Sequence, residues 1–253
     1  MYFIDVQGTL IDDKDKKPIK GSIEFIDRLN QENIPYIIIT NNTKKPSKDF
    51  LNFLLQLGFD IPSQNYLDPF MILDEIVSEK QIAPFGTDEF KNTLKDMGYK
   101  LDYNTPKSVI ISVNHQYTND DYADMIELLL NGAKLIGMHD TSIYAKDSKR
   151  YAGVGAICSM LSFATNKPYK VVGKPSKLFY EKAKKMIGAK RYQDITIISD
   201  DMIGDIKGAM KLGMKGYLVL SGKIKHKDEV IPTLKKEELP SKIFQDVSYI
   251  NIV

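Results

Sequence analysis

Cysteine occurs once in these 253 residues, at Cys158, so no intrachain disulfide can form. Its surroundings, Gly155-Ala-Ile-Cys-Ser-Met-Leu, are mostly apolar, which predicts a buried, inert thiol rather than a nucleophile. Histidine is nearly as scarce. His115, His139 and His226 are scattered and offer no pair at zinc-ligand spacing. An excess of one charge is missing too, since 35 basic and 33 acidic residues leave a formal charge of +2. Without a concentrated basic surplus, nucleic acid is not an expected partner. The lysine runs from Lys14 to Lys20 and from Lys223 to Lys227 lie beside acids and read as solvated loops. No apolar run approaches the roughly 18 residues a membrane span needs. Asp5 interrupts the N-terminal apolar residues at once, so no signal peptide is expected either. The expectation is a cytoplasmic protein with no membrane partner. Internal repeats, heptads and low-complexity tracts are also absent.

What is present is a composition 43% hydrophobic, ample for a buried core. Strand-like and helix-like stretches alternate along the chain, which predicts parallel sheets covered by helices. Strands are expected at 2–5, 36–39, 109–113, 134–136, 170–172, 195–198 and 215–220. Helices are expected at 21–33, 47–57, 120–131, 155–165, 177–187 and 205–212. Gly153-Val-Gly155 reads as a tight turn.

Three polar clusters follow apolar runs directly: Asp5 to Thr9, Thr40 to Thr43, and Ser199 to Asp205. Residues just past the carboxyl ends of parallel strands line the ligand crevice of an open sheet, so one shared site is expected. Lys174 follows a fourth strand and is placed with them. Carboxylates converging at strand ends repel one another unless a cation lies between them, and an all-oxygen donor set suits magnesium. Thr9, Thr40 and Asn41 supply hydroxyl and amide donors beside the turn N–H groups at Gly8, and Lys174 supplies a fixed positive charge. Phosphoryl transfer needs donors and charge of this kind around the equatorial oxygens. Each cluster also has a plainer reading. Asp200-Asp201 fits a helix N-cap, and Thr40-Asn-Asn-Thr43 fits a polar turn ahead of a helix.

Asp5-Val-Gln-Gly-Thr9-Leu resembles the DxDGT-Leu signature of haloacid dehalogenase-type phosphatases. Ile39-Thr-Asn-Asn-Thr43, Gly173-Lys-Pro-Ser176 and Ser199-Asp200 with Asp205-Ile206 resemble the second, third and fourth motifs of that superfamily. The order and spacing are similar to its NagD-like or p-nitrophenylphosphatase-like branch. The resemblance implies a doubly wound, Rossmann-like parallel-sheet core at 1–78 and 171–253, with an inserted α/β cap at 79–170 that selects substrate. It also implies magnesium held by Asp5, the backbone carbonyl of Gln7, Asp200 and Asp205. Asp5 would attack phosphorus, Gly8, Thr9, Thr40 and Asn41 would bind phosphate, and Lys174 would offset its charge. The substrate would be a small phosphorylated metabolite, and a homodimer through the cap is a further expectation. Within the cap, Asn114, His115 and Tyr117, or Lys146, Lys149, Arg150 and Tyr151, are the substrate-contact candidates, Arg150 because a guanidinium suits anions.

The pattern departs from the family at position 7. The second acid of the first motif, which exchanges a proton with the leaving group and then with water, is replaced by Gln7. An amide donates a hydrogen bond but does not exchange a proton near neutral pH, and such proton transfer is typically worth about 10²- to 10⁴-fold. One reading is a phosphatase whose proton comes from elsewhere, such as Asp12, Asp13 or the cap, or whose substrate has a good leaving group. The alternative is a hydrolysis-impaired phospho-ligand-binding or regulatory protein. A receiver-type phosphoacceptor domain fits poorly, because such domains run to about half this length. Ser199 in place of glycine is a milder departure.

Overall fold

The computed structural model describes residues 1–146 and 149–252. By packing, the chain forms two compact units, Met1–Thr40 with Lys48–Leu67 and Lys177–Val253, and Asn41–Ser47 with Asp68–Ser176. Residues 41–47, 68–78 and 171–176, placed with the core from sequence, pack within the second unit.

The first unit is built on a six-stranded sheet, ordered Lys242–Phe244, Lys215–Val219, Thr196–Ser199, Tyr2–Ile4, Tyr36–Ile39, Tyr66–Leu67. Every pairing is parallel. In chain order within the unit this is 6-5-4-1-2-3, the doubly wound arrangement read from the other edge. The central strands are continuous apolar runs because helices cover both faces. On one face Phe25, Ile26 and Leu29 of helix Ser22–Gln31 join a core with Tyr2, Ile4 and Ile38. Phe3 points the opposite way, since side chains alternate along a strand. Its ring stacks on Tyr180 of helix Lys177–Met186 at 6.3 Å. Each large apolar side chain so buried contributes roughly 1.5–3 kcal/mol. Order reverses between Tyr2–Ile4 and Thr196–Ser199, the place where such sheets open a ligand crevice.

The second unit carries a five-stranded parallel sheet, ordered Tyr169–Val171, Lys134–Gly137, Ser108–Ile111, Gln81–Phe85, Lys100–Leu101. An antiparallel hairpin, Ile143–Lys146 with Lys149–Ala152, stands apart from it. Phe85, Val109, Ile111, Met125, Leu129 and Leu161 form its core, with helices Asn119–Leu130 and Val154–Thr165 contributing. Cys158 is buried there, and burial, then the charge of Asp140, pushes its thiol up to about 12. Burial matches the expectation for this thiol.

Two expectations need correction. Gly153-Val-Gly155 is not a tight turn, because Gly153 caps the helix Val154–Thr165 in extended backbone at φ −77°. Glycine is required by proximity there: a Cβ on Gly153 would lie 2.0 Å from the Thr141 carbonyl oxygen, and one on Gly155 2.5 Å from Asp140 Oδ1. The helix expected at 205–212 begins earlier, as a π turn over Met202–Ile206 that leads into the α-helix Lys207–Lys211.

Candidate active site

The switch point of the first unit's sheet places two acids side by side. Ile4 pairs with Ile198 across adjacent strands, and the Asp5 N–H donates to the Ile198 carbonyl at 2.9 Å. Asp5 therefore leaves its strand level with Ser199, one residue before Asp200. Both carboxyls are buried, Asp5 6% and Asp200 4% exposed. Burial, and then the negative charge of Asp5, holds the Asp200 carboxyl well above the usual carboxylate range.

The chain after Asp5 folds back at once. The N–H groups of Leu10 and Ile11 donate to the Val6 carbonyl, and the Gly8 N–H donates to that of Ile11 at 2.8 Å. Gly8 has φ +74°, a region that suits glycine. A Cβ at Gly8 would lie 2.1 Å from Asp200 Oδ2, so the acid presses against the turn backbone. Thr9 is fully buried, and its Oγ1 accepts the Asp200 N–H at 3.1 Å. Thr9 thus positions Asp200. Gln7 is half-buried on the same turn, and Thr40 Oγ1 donates to its Oε1 at 3.0 Å.

At the end of Thr196–Ser199 the polar stretch from Ser199 to Asp205 divides into separate tasks. Asp201 is the N-cap: its Oδ1 accepts the Gly204 N–H at 2.7 Å, which bears out the capping reading for this residue. Ser199 Oγ donates to Asp205 Oδ2 at 2.8 Å and accepts the Asp201 N–H at 3.0 Å. The serine that replaces glycine is therefore a buried bridge between the cap and Asp205.

Sequence reasoning missed the loop after Lys215–Val219. Ser221 Oγ donates to the Gly8 carbonyl at 2.7 Å, and the Lys223 backbone N–H donates to Asp200 Oδ2. Lys223 Nζ donates to Asp201 Oδ2 at 2.8 Å. Burial disfavours the lysine charge, but Asp201, Asp200 and Asp205 outweigh it and raise its pKa. Lys223 is exposed, in keeping with the solvated-loop reading of 223–227, yet the loop also reaches the crevice acids; it begins where a crevice strand ends, and that position was the available signal. Asp12 is a turn-former, with Oδ1 and Oδ2 accepting the N–H groups of Lys14, Asp15 and Lys17. Those bonds lower its pKa, which makes it a poor proton source.

In the second unit, Asn41 and Lys174 come together. Asn41 Oδ1 accepts the Lys174 N–H at 2.8 Å, and its Nδ2 donates to the Lys174 carbonyl at 3.3 Å. Both ends of the Asn41 amide are thus committed to the lysine backbone, so this side chain positions Lys174 instead of offering its amide to phosphate. The polar-turn role belongs to Asn42, whose Oδ1 accepts from the N–H groups of Lys44 and Lys45. His139 is buried, and burial, then the charges of Lys174 and Lys44, takes its pKa down to about 3. Of the substrate candidates, His115 and Tyr151 meet edge to face at 6.1 Å, and Tyr151 stacks on Tyr144 at 5.6 Å. Tyr117 donates to the Ser112 carbonyl at 2.9 Å. Asn114 Oδ1 accepts the Gln116 N–H at 3.0 Å, Lys149 and Arg150 are exposed, and the side chain of Lys146 lies outside the described residues.

Among the described residues no three His, Cys, Asp or Glu side chains are grouped to hold a metal. Magnesium does not need three, since it keeps several waters and takes one or two carboxylates. The buried, mutually repelling pair Asp5 and Asp200 fits that demand. The Gln7 carbonyl receives none of the backbone hydrogen bonds of the turn from Val6 to Ile11, and is available as a third oxygen. Asp205 is turned to Ser199.

The family model for haloacid dehalogenase-like hydrolases matches residues 2–100, and a second, HAD-hydrolase-like model matches 171–248. Human phospholysine phosphohistidine inorganic pyrophosphate phosphatase is 28% identical over 239 residues, covering 92% of this chain and 87% of that protein. Bovine haloacid dehalogenase-like hydrolase domain-containing protein 2 is 29% identical over 228 residues, covering 89% and 86%. Among solved structures, NagD from E. coli K-12 superposes with a TM-score of 0.81 at 22% identity, over 100% of this chain and 98% of that one. The p-nitrophenyl phosphatase of Archaeoglobus fulgidus gives 0.84 at 20% identity, over 98% and 96%. With the ordered motifs, the switch-point acids and these matches together, the chain belongs to the haloacid dehalogenase-like hydrolases.

Proposed function

We propose that this protein is a magnesium-dependent phosphatase that transfers a phosphoryl group from a small phosphorylated metabolite to Asp5 and then to water. The observation that carries the reading is the buried pair Asp5 and Asp200 at the switch point, where burial and the charge of Asp5 disfavour a charge on Asp200. Such a pair is costly to keep unless a cation and an anionic substrate use it. The relatives named as phosphatases support the same chemistry.

Magnesium held by Asp5, Asp200 and the Gln7 carbonyl would supply charge to offset the phosphoryl oxygens. Asp5 is the nucleophile, and its backbone N–H bond to Ile198 fixes where its carboxylate emerges. Thr9 and the Lys223 N–H hold Asp200, and Gly8 lets the backbone come close to it. Thr40 gives its hydroxyl to Gln7 Oε1, and Gly8, Thr9, Leu10 and Ile11 give their N–H groups to carbonyls of the turn, so donation to the phosphoryl oxygens is assigned to the Gln7 N–H and side-chain NH₂. Lys174 is assigned the offsetting positive charge, with Asn41 as its clasp. Substrate selection is assigned to the second unit, where the His115, Tyr144 and Tyr151 rings are the first positions to vary.

The test is release of p-nitrophenol from p-nitrophenyl phosphate with and without magnesium. Asp5→Asn is expected to lower the rate by at least about 10³-fold, the scale on which removal of a nucleophile acts. Equal rates in Asp5→Asn and the parent would end this reading. The rival, a phospho-ligand-binding protein that no longer hydrolyses, is favoured by Gln7. It predicts phosphate binding with no turnover in the parent and turnover in Gln7→Asp.

A further inference from the structure

We infer that Gln7 restricts this site to phosphoryl groups carried on leaving groups that depart without a proton: aryl oxides, the carboxylate of an acyl phosphate, or phosphate. The inference rests on the phosphatase reading and adds to it a substrate class.

Gln7 lies two residues beyond the nucleophile, on a turn pinned by the backbone bonds from Gly8, Leu10 and Ile11. Thr40 Oγ1 donates to Gln7 Oε1 at 3.0 Å, so the amide carbonyl is engaged and the end that remains is the NH₂. An NH₂ is a donor only. It can steady a negative oxygen, but it cannot hand over a proton and take one back. The neighbouring carboxylates of the same unit do not replace it. Asp12 is occupied by three backbone N–H groups, Asp201 by Gly204 and Lys223, Asp205 by Ser199, and Asp200 by the Lys223 N–H, while Asp13 is exposed and paired with Lys16 at 3.8 Å. The nearby cation, Lys223, is turned to Asp201, with its Nζ donating to Oδ2 at 2.8 Å.

In the first step an Asp5 carboxylate oxygen forms a bond to phosphorus while the bond from phosphorus to the leaving atom breaks, and the electron pair leaves with that atom. Without an acid beside it, the leaving atom carries the full charge into solvent and is protonated there. In the second step water attacks the same phosphorus, the bond to Asp5 breaks, inorganic phosphate leaves, and the water proton goes to solvent. The penalty of the first step grows with the basicity of the leaving group, and an alkoxide bears it most heavily.

The experiment measures kcat/KM for p-nitrophenyl, phenyl and alkyl phosphate, with acetyl phosphate and pyrophosphate alongside, at fixed pH and magnesium. Because kcat/KM ends at the first irreversible step, it reports leaving-group departure even where the second step limits kcat. The expected result is a fall of at least about 10²-fold from p-nitrophenyl to alkyl phosphate, with acetyl phosphate on the fast side. Gln7→Asp is expected to raise the alkyl phosphate by about 10²- to 10⁴-fold and p-nitrophenyl phosphate by less than about 10-fold. A flat series in the parent overturns the inference and leaves the phosphatase reading standing. A Gln7→Asp that raises all substrates equally overturns it too. Failure to hydrolyse any of them overturns both. If the variant does not fold, the parent series alone decides.

Discussion

At the scale of single residues, the crevice is set by how closely backbone and carboxylate approach. A side chain at Gly8 would meet Asp200 Oδ2 at 2.1 Å, and one at Gly222 would meet the same oxygen at 2.0 Å. Gly8→Ala adds the left-handed backbone penalty of about 1–2 kcal/mol to that collision. It is expected to lower both the urea midpoint and turnover, while an alanine at Gly188, with nothing near its Cβ, leaves turnover intact. Parallel kinetics and denaturation of the two variants check this. His139 gives a second prediction. Its folded pKa is about 3, below the ordinary value of 6.5, so between those limits the unfolded chain binds a proton that the folded chain refuses. Stability is therefore fully present above pH 6.5 and falls as pH drops toward 3, at about 1.4 kcal/mol per unit from this residue. Urea unfolding at several pH values should show a shallower acid slope in His139→Gln. An unchanged slope would contradict the assignment.

At the scale of elements, the legible parts were those whose pattern carries its own physics. Tyr36–Ile39 was readable to the residue because a β-branched run buried on both faces ends sharply at polar Thr40. The helix Lys177–Met186 was readable because its apolar residues recur at helical spacing. The strand Gln81–Phe85 was not, since Pro84 breaks the run and burial comes only from neighbours distant in sequence. The hairpin Ile143–Lys146 with Lys149–Ala152 was hidden for a related reason: its charged, exposed residues look like a loop. Site residues divided the same way. Asp5, Thr40 and Asp200 stand at strand ends with motif neighbours. Lys223 and Ser221 act mainly through backbone and short hydroxyl contacts, which leave no residue-type signature. Local signals also give a stability prediction. Thr118 and Asp121 form a reciprocal capping box on Asn119–Leu130, at 3.1 and 2.8 Å. Thr118→Ala should cost about 1 kcal/mol in the urea midpoint.

At the scale of the whole molecule, two units with separate cores share one chain. Leu54, fully buried in the first core, and Leu129, fully buried in the second, each have no room to collapse into solvent. Their truncation to alanine should cost roughly 2–5 kcal/mol apiece. No helix among the described residues is long and apolar enough to cross a membrane. Cation binding offers a global readout of the crevice. A ligand at 100 times its dissociation constant stabilises by about 2.7 kcal/mol. Magnesium should therefore raise the melting temperature of the parent, by roughly 5–10 °C for a chain of this size, and do nothing for Asp200→Asn.

The central claim is that phosphorus becomes bonded to Asp5. Mixing the protein with p-nitrophenyl phosphate and magnesium, quenching in acid within the first turnover and mapping peptides by mass spectrometry tests it directly. The account predicts a phosphoryl group on the peptide that contains Asp5, lost in Asp5→Asn, and readily seen because Gln7 leaves the second step without a base. Turnover with the phosphoryl group on another residue, or with none on Asp5, would contradict it.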